Sequence, residues 1–114
     1  MAKYSNEEVV DKFLDNIRYL KIAHHVKGRV RVKASLSGAR KLAREDTSDF
    51  GEVIDRIPGI DKYRMNKMAL SLVVDYDPSV LPFELWEEVG GLAENPANRE
   101  EVKNKLLNIL GETA

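Results

Sequence analysis

Polar and apolar positions change their period several times along this chain. After Ser5-Asn6-Glu7-Glu8, the residues Val9, Val10, Phe13, Leu14 and Ile17 recur at helical spacing, with Asp11, Lys12, Asp15 and Asn16 on the other side. That pattern predicts an amphipathic helix ending near Arg18 or Tyr19. Ser5 and Glu8 have capping-box spacing, each able to satisfy the other's backbone N–H. From His25 the period shortens to two. Val26, Gly28, Val30, Val32 and Ala34 alternate with His25, Lys27, Arg29, Arg31 and Lys33, which predicts one half-buried strand. Gly28 marks a bulge or a close backbone approach.

Ser35-Leu36-Ser37-Gly38 reads as a turn into a second helix, from about Ala39 to Arg56, with a break around Asp46–Ser48 where the pattern turns polar. Ile57-Pro58-Gly59-Ile60 stops it. Two strands follow, Ile60–Met65 and Leu70–Tyr76, joined at Asn66-Lys67 as a hairpin. Helical spacing returns over Pro82–Val89, breaks at Gly90-Gly91, and resumes from Pro96 or Asn98 to Leu110, with Asn98 and Glu101 as a cap and Gly111 as a stop.

A strand, a crossover helix and a hairpin form the first part of a split βαβ unit. A right-handed crossover sets the hairpin's second strand between the other two, antiparallel to both. The expectation is therefore an α+β chain of ferredoxin-like (split βαβ) type, an antiparallel sheet with helices on one face and extra helices at both ends. Residues 1–24 read as an N-terminal helical extension, 25–90 as the core and 91–114 as a C-terminal helix of one domain. No strand is evident after the hairpin, so the strand of His25–Ala34 would be left as an edge, covered by the N-terminal helix, by Tyr19–His24, by a second copy or by a partner's strand.

Composition narrows the chemistry. The 114 residues are 43% hydrophobic and 32% charged, with a net charge of −1, so any electrostatic signal is local. There is no cysteine, which excludes disulfides, thiolate metal sites, iron–sulfur clusters and thiol nucleophiles. Met1–Val10 turns acidic before an apolar run develops, unlike a secretory signal. No stretch approaches the roughly 20 apolar residues of a membrane span. A cytoplasmic location is the expectation.

Three motifs carry a family resemblance: Gly28-Arg29-Val30-Arg31-Val32, Ile57-Pro58-Gly59-Ile60, and Asn66 with Leu72-Val73-Val74-Asp75-Tyr76-Asp77-Pro78. In that order they resemble a non-cysteine branch of the heavy-metal-associated (HMA) domain family. The resemblance implies a ferredoxin-like βαββαβ fold and a role as a metallochaperone or as a regulatory module of a P-type metal-transporting ATPase. The family's CxxC is absent, since the loop after the first strand reads Ala34-Ser35-Leu36-Ser37-Gly38. Copper chaperoning through thiolates is thereby set aside.

The most unusual local feature is the basic row Lys27, Arg29, Arg31 and Lys33, which Lys62 and Arg64 of the hairpin join if their phase matches. It reads either as a binding surface for phosphate, nucleic acid, anionic lipid or an acidic protein, or as a solvated sheet face partly neutralised by Asp75 and Asp77. The solvated face carries more weight. The exposed positions offer no aromatic platform for stacking bases. His24 and His25 are the only nitrogen ligands of note and the first candidates for contact with iron, zinc or haem. Neighbours on a strand point to opposite faces, so one metal would need further ligands or a second subunit. Glu45, Asp46 and Asp49, and Glu84, Glu87 and Glu88 near Trp86, fit hard-cation ligation or plain solvated helix surface.

No nucleophile elbow, phosphate loop or metalloprotease motif occurs, so a non-enzyme is expected. The leading expectation is an HMA-like accessory module in transition-metal homeostasis, with iron the first candidate. It would act through protein contacts at Lys27, Arg29, Arg31, Lys33 and Arg64, with a P-type ATPase or a second copy as partner. The alternatives are a polyanion binder using the same residues, nucleic acid being the weaker case, and a structural dimerisation domain sealed by the apolar stripe Val102, Leu106, Leu107, Ile109 and Leu110.

Overall fold

The computed structural model describes residues 4–44, 50–66 and 68–112. Helix α1 (Asn6–Ile17) starts with the expected capping box: the Glu8 N–H donates to Ser5 Oγ at 3.2 Å and the Ser5 N–H to Glu8 Oε1 at 3.0 Å. Its stripe of Val9, Val10, Phe13, Leu14 and Ile17 is fully enclosed. Helix α1 therefore contributes its apolar stripe to the core.

Strand β1 (Leu20–Val26) and strand β2 (Arg29–Ala34) form a hairpin around Lys27-Gly28. This corrects the single strand expected across His25–Ala34. Gly28 has φ +94°, the left-handed region that glycine enters freely. The alternation survives in sequence because a two-residue loop does not interrupt it, yet the chain reverses and the faces exchange. Val26 pairs with Arg29 and His25 with Val30, so Val26 and Val30 lie on opposite sides.

A bulge at Ala23 adds a second phase change. Leu20 and Ile22 oppose the buried Ala34 and Val32, then the register shifts so that His24 opposes Arg31 and His25 opposes Val30. One extra residue turns His25 inward and His24 outward.

Helix α2 (Leu36–Leu42) begins earlier than expected, capped by Ser35, whose Oγ accepts from the Gly38 N–H at 3.0 Å. Gly38 lies in its first turn rather than in a preceding loop. A Cβ there would sit 2.6 Å from the Tyr19 carbonyl oxygen, so α2 approaches the end of α1 only through glycine. Helix α3 (Phe50–Asp55) is separate, and the expected break at Asp46–Ser48 lies outside the described residues. Strands β3 (Ile60–Asn66) and β4 (Ser71–Tyr76) form the expected hairpin.

The sheet order is β1-β2-β4-β3, antiparallel throughout. β4 lies between β2 and β3, as the crossover argument required. β1, which includes most of Tyr19–His24, flanks β2, so β2 is not an edge. The architecture is α+β, a four-stranded antiparallel sheet with five α-helices among the described residues.

Helix α4 (Phe83–Gly90) is followed by a 3₁₀ turn (Pro96–Asn98) and α5 (Arg99–Glu112). Asn98 belongs to the 3₁₀ turn rather than capping α5, and Gly111 does not stop that helix. Val102, Leu106 and Leu110 are buried, with Leu107 and Ile109 packed against the core, so of the two readings the stripe allowed, packing on the domain or sealing a dimer, it takes the first. Arg99 meets Asp15 at 2.9 Å and Asp11 at 3.4 Å, and Lys103 meets Asp11 at 3.1 Å, fastening α5 to α1. Phe13 stacks on Phe50 and meets Trp86 edge-on, joining α1, α3 and α4 around one core.

Candidate functional site

Strand alternation divides the sheet cleanly. Val30, Val32, Ala34, Leu72, Val74 and Tyr76 face the helices and are buried. The opposite face is open, and the register arranges it in three rungs. The first runs Val26, Arg29, Asp75, Lys62; the second His24, Arg31, Val73, Arg64; the third Lys21, Lys33, Ser71, Asn66. Arg29, Arg31, Lys33 and Arg64 fall together as expected, Lys62 is in phase with them, and Lys21 joins through β1. Lys27 does not belong: it sits in the hairpin turn rather than on the strand.

Asp75 is the single carboxylate of the three rungs. Arg29 Nε donates to its Oδ1 at 2.6 Å, and Lys62 Nζ lies 3.7 Å from Oδ2. The hydrogen bond from Arg29 holds the Asp75 carboxyl below its ordinary range, against an opposing push from desolvation. Lys21 pairs with Glu94 at 3.3 Å. Among the described residues Arg31, Lys33 and Arg64 have no ion-pair partner, and all three are exposed. The second and third rungs therefore present uncompensated cations around the half-buried Val73. Among the described residues no tyrosine, phenylalanine or tryptophan joins them, because Tyr63 and Tyr76 pair in register with core-facing positions; the one ring on these rungs is the imidazole of His24.

The two candidate metal ligands are separated. His24 stands on the open face beside Arg31. His25 faces the core with its side chain only 3% exposed, stacked on Phe83 at 3.8 Å between ring centres. Its Nδ1 lies 2.7 Å from Glu87 Oε2 and its Nε2 2.7 Å from Tyr76 Oη. In the neutral ring, Nδ1–H donates to the carboxylate and Nε2 accepts the tyrosine O–H. Burial pushes the Tyr76 hydroxyl's pKa up. Both nitrogens are thus committed to a polar knot tying β1, β4 and α4 together, and a metal at His25 would have to displace one partner.

Sequence reasoning missed this knot, because Glu87 lies 62 positions from His25 and nothing in either segment signals the pairing. Of the candidate carboxylates, Glu87 is held by His25 and Glu88 by Lys105 at 2.7 Å. Glu45, Asp46 and Asp49 lie outside the described residues. Among the described residues no group of three or more His, Asp or Glu side chains is arranged to hold a metal ion, and no helix is long and apolar enough to cross a membrane. Comparison with known proteins finds no matching family model, no matching curated protein and no matching solved structure.

Proposed function

We propose that this chain is a non-catalytic docking module that receives an acidic protein surface on the open face of a ferredoxin-like sheet. The observation that carries the proposal is the second rung: Arg31 and Arg64, exposed and without ion-pair partners among the described residues, flank Val73 at the middle of the face. Apolar positions set among cations suit a protein interface, where a desolvated centre is ringed by charge. A nucleic-acid groove would instead call for stacking rings and an overall basic balance, and the chain's net charge is −1.

The ferredoxin-like part of the reading is supported by β4 lying between β2 and β3, and by β1 occupying the flank of β2. Helix α1 and β1 precede β2 where the usual layout would place the last helix and strand at the end, so the reading is of a permuted connection. The resemblance to HMA domains makes an acidic cytosolic segment of a metal-transporting P-type ATPase the first partner to try.

Fluorescence anisotropy with a labelled oligo-glutamate and an oligo-thymidylate of equal charge tests the proposal. The protein should bind the acidic peptide, with affinity falling steeply as salt rises. The double reversal Arg31→Glu/Arg64→Glu should abolish binding while leaving stability within about 0.5 kcal/mol. Equal or tighter binding of the oligonucleotide would turn the reading to polyanions. Peptide binding that survives the reversal would remove the open face from the account.

A further inference from the structure

Strand β3 ends the sheet on the side away from β1, and the direction of its backbone groups follows from those of β4. The Tyr76 N–H donates to the Gly28 carbonyl at 3.0 Å, and the Leu70 carbonyl accepts from the Ala34 N–H at 2.9 Å. Even-numbered positions from 70 to 76 thus bond towards β2. The odd ones, Ser71, Val73 and Asp75, bond towards their β3 partners Asn66, Arg64 and Lys62. Tyr63 and Met65 therefore turn N–H and C=O outward, and no group among the described residues bonds them. The strand has no proline, and its bulge at Asp61 lies at the far end, so residues 62–66 form a regular bare edge.

A bare edge is a template for one more strand, and its side chains select which. Lys62 and Arg64 lie on the open face; Tyr63, half-buried, and Met65, 50% exposed, lie on the other. A second copy fits badly. Antiparallel self-pairing through both Tyr63 and Met65 sets Arg64 against the second copy's Arg64 or Lys62, and like charges directly opposed are unfavourable. The same cations favour a strand with carboxylates on that face, and Tyr63 and Met65 favour apolar residues on the other.

We propose that β3 captures an extended acidic segment of a partner protein as a fifth strand of the sheet, one in which Glu or Asp alternates with apolar residues. The proposal rests on the docking reading above and supplies its geometry: carboxylates beside Lys62 and Arg64, and backbone hydrogen bonds to Tyr63 and Met65.

The test measures anisotropy of a labelled Glu-Val-Glu-Val-Glu-Val-Glu peptide on the full chain. Two isomers carry backbone N-methyl groups, one on two central valines and the other on two central glutamates. A strand bonds through alternate amides, so one isomer should bind about tenfold or more weaker, the size of two net hydrogen bonds, and the other should match the parent. Loss at the valines reports antiparallel addition, loss at the glutamates parallel addition. Bound peptide should slow hydrogen exchange at the Tyr63 and Met65 amides. Met65→Pro, which removes an outward N–H and spares the β4 ladder, should weaken binding about fivefold, whereas Met65→Ala should stay within about twofold of the parent. No binding of the parent peptide would sink the docking reading and this proposal together. Salt-sensitive binding that Arg31→Glu/Arg64→Glu abolishes, but that ignores both methylated isomers and leaves those two amides exchanging freely, would overturn strand addition alone. A dimer in sedimentation that Met65→Pro dissociates would assign the edge to a second copy instead.

Discussion

The two faces of this sheet are built from alternate residues of the same strands, and they handle polar groups in opposite ways. On the open face, Arg31, Lys33 and Arg64 stand without ion-pair partners among the described residues, because water solvates them at no cost to the fold. On the core face His25 has both ring nitrogens engaged at 2.7 Å and its plane covered by Phe83. Buried polar atoms persist when they are bonded, whereas exposed ones need no partner. The adjacent histidines make the comparison at a single step along the chain.

The largest expected effect follows from that pair. His25→Ala removes an enclosed ring, opens space beside Phe83 and strips Tyr76 Oη of its partner, so urea unfolding should show a loss of about 2–4 kcal/mol. His24→Ala removes an exposed ring with no hydrogen-bond partner among the described residues, and should change stability by about 0.5 kcal/mol or less. Comparable losses in the two variants would break the division of the faces and the bulge that produces it.

Much of this was legible in sequence where one period runs undisturbed. The capping box and 3.6-residue stripe placed α1, and alternation placed Arg29, Arg31 and Lys33 opposite Val30 and Val32. What was not legible had a physical reason in each instance. β1 hid because the bulge at Ala23 breaks its period and the Lys27-Gly28 reversal continues the apparent alternation of β2. Lys27 was therefore counted on the face, Lys21 was missed, and the fourth strand was sought at the wrong end of the chain.

The faces should also part company in their response to pH. On the open side the Asp75 carboxyl is held below its ordinary value chiefly by the hydrogen bond from Arg29. Its stabilising contribution is present above the unfolded carboxylate pKa, about 3.9, and is lost as pH falls through the depressed folded value. On the core side the Tyr76 hydroxyl is pushed upward by burial. Its contribution is present below the unfolded value, about 10, and is lost as pH rises through the raised folded one. Asp75→Asn should thus flatten the acid limb of stability against pH and leave the alkaline limb alone, and Tyr76→Phe should do the reverse. Chemical denaturation at pH 3, 7 and 10.5 measures both limbs, and a variant that flattens the wrong limb would reverse the assignment of the faces.

A small expected effect gives the sharpest test of the register. Ala23 is exposed and is the one β1 residue between Leu20 and Val26 without a partner across the ladder. Deleting it joins Ile22 directly to His24, which restores a regular alternation: Leu20, Ile22 and His25 inward, Lys21, His24 and Val26 outward. Both faces survive, so the deletion variant should fold, lose about 1 kcal/mol or less, and keep His25 protected from solvent by NMR. Inserting a second alanine beside Ala23 adds another unpaired residue that the ladder must absorb or slip past, and a slip of one would expel His25 and draw His24 under Phe83. If deletion proves as damaging as insertion, Ala23 is needed for the bend it introduces into β1 rather than tolerated as an extra residue.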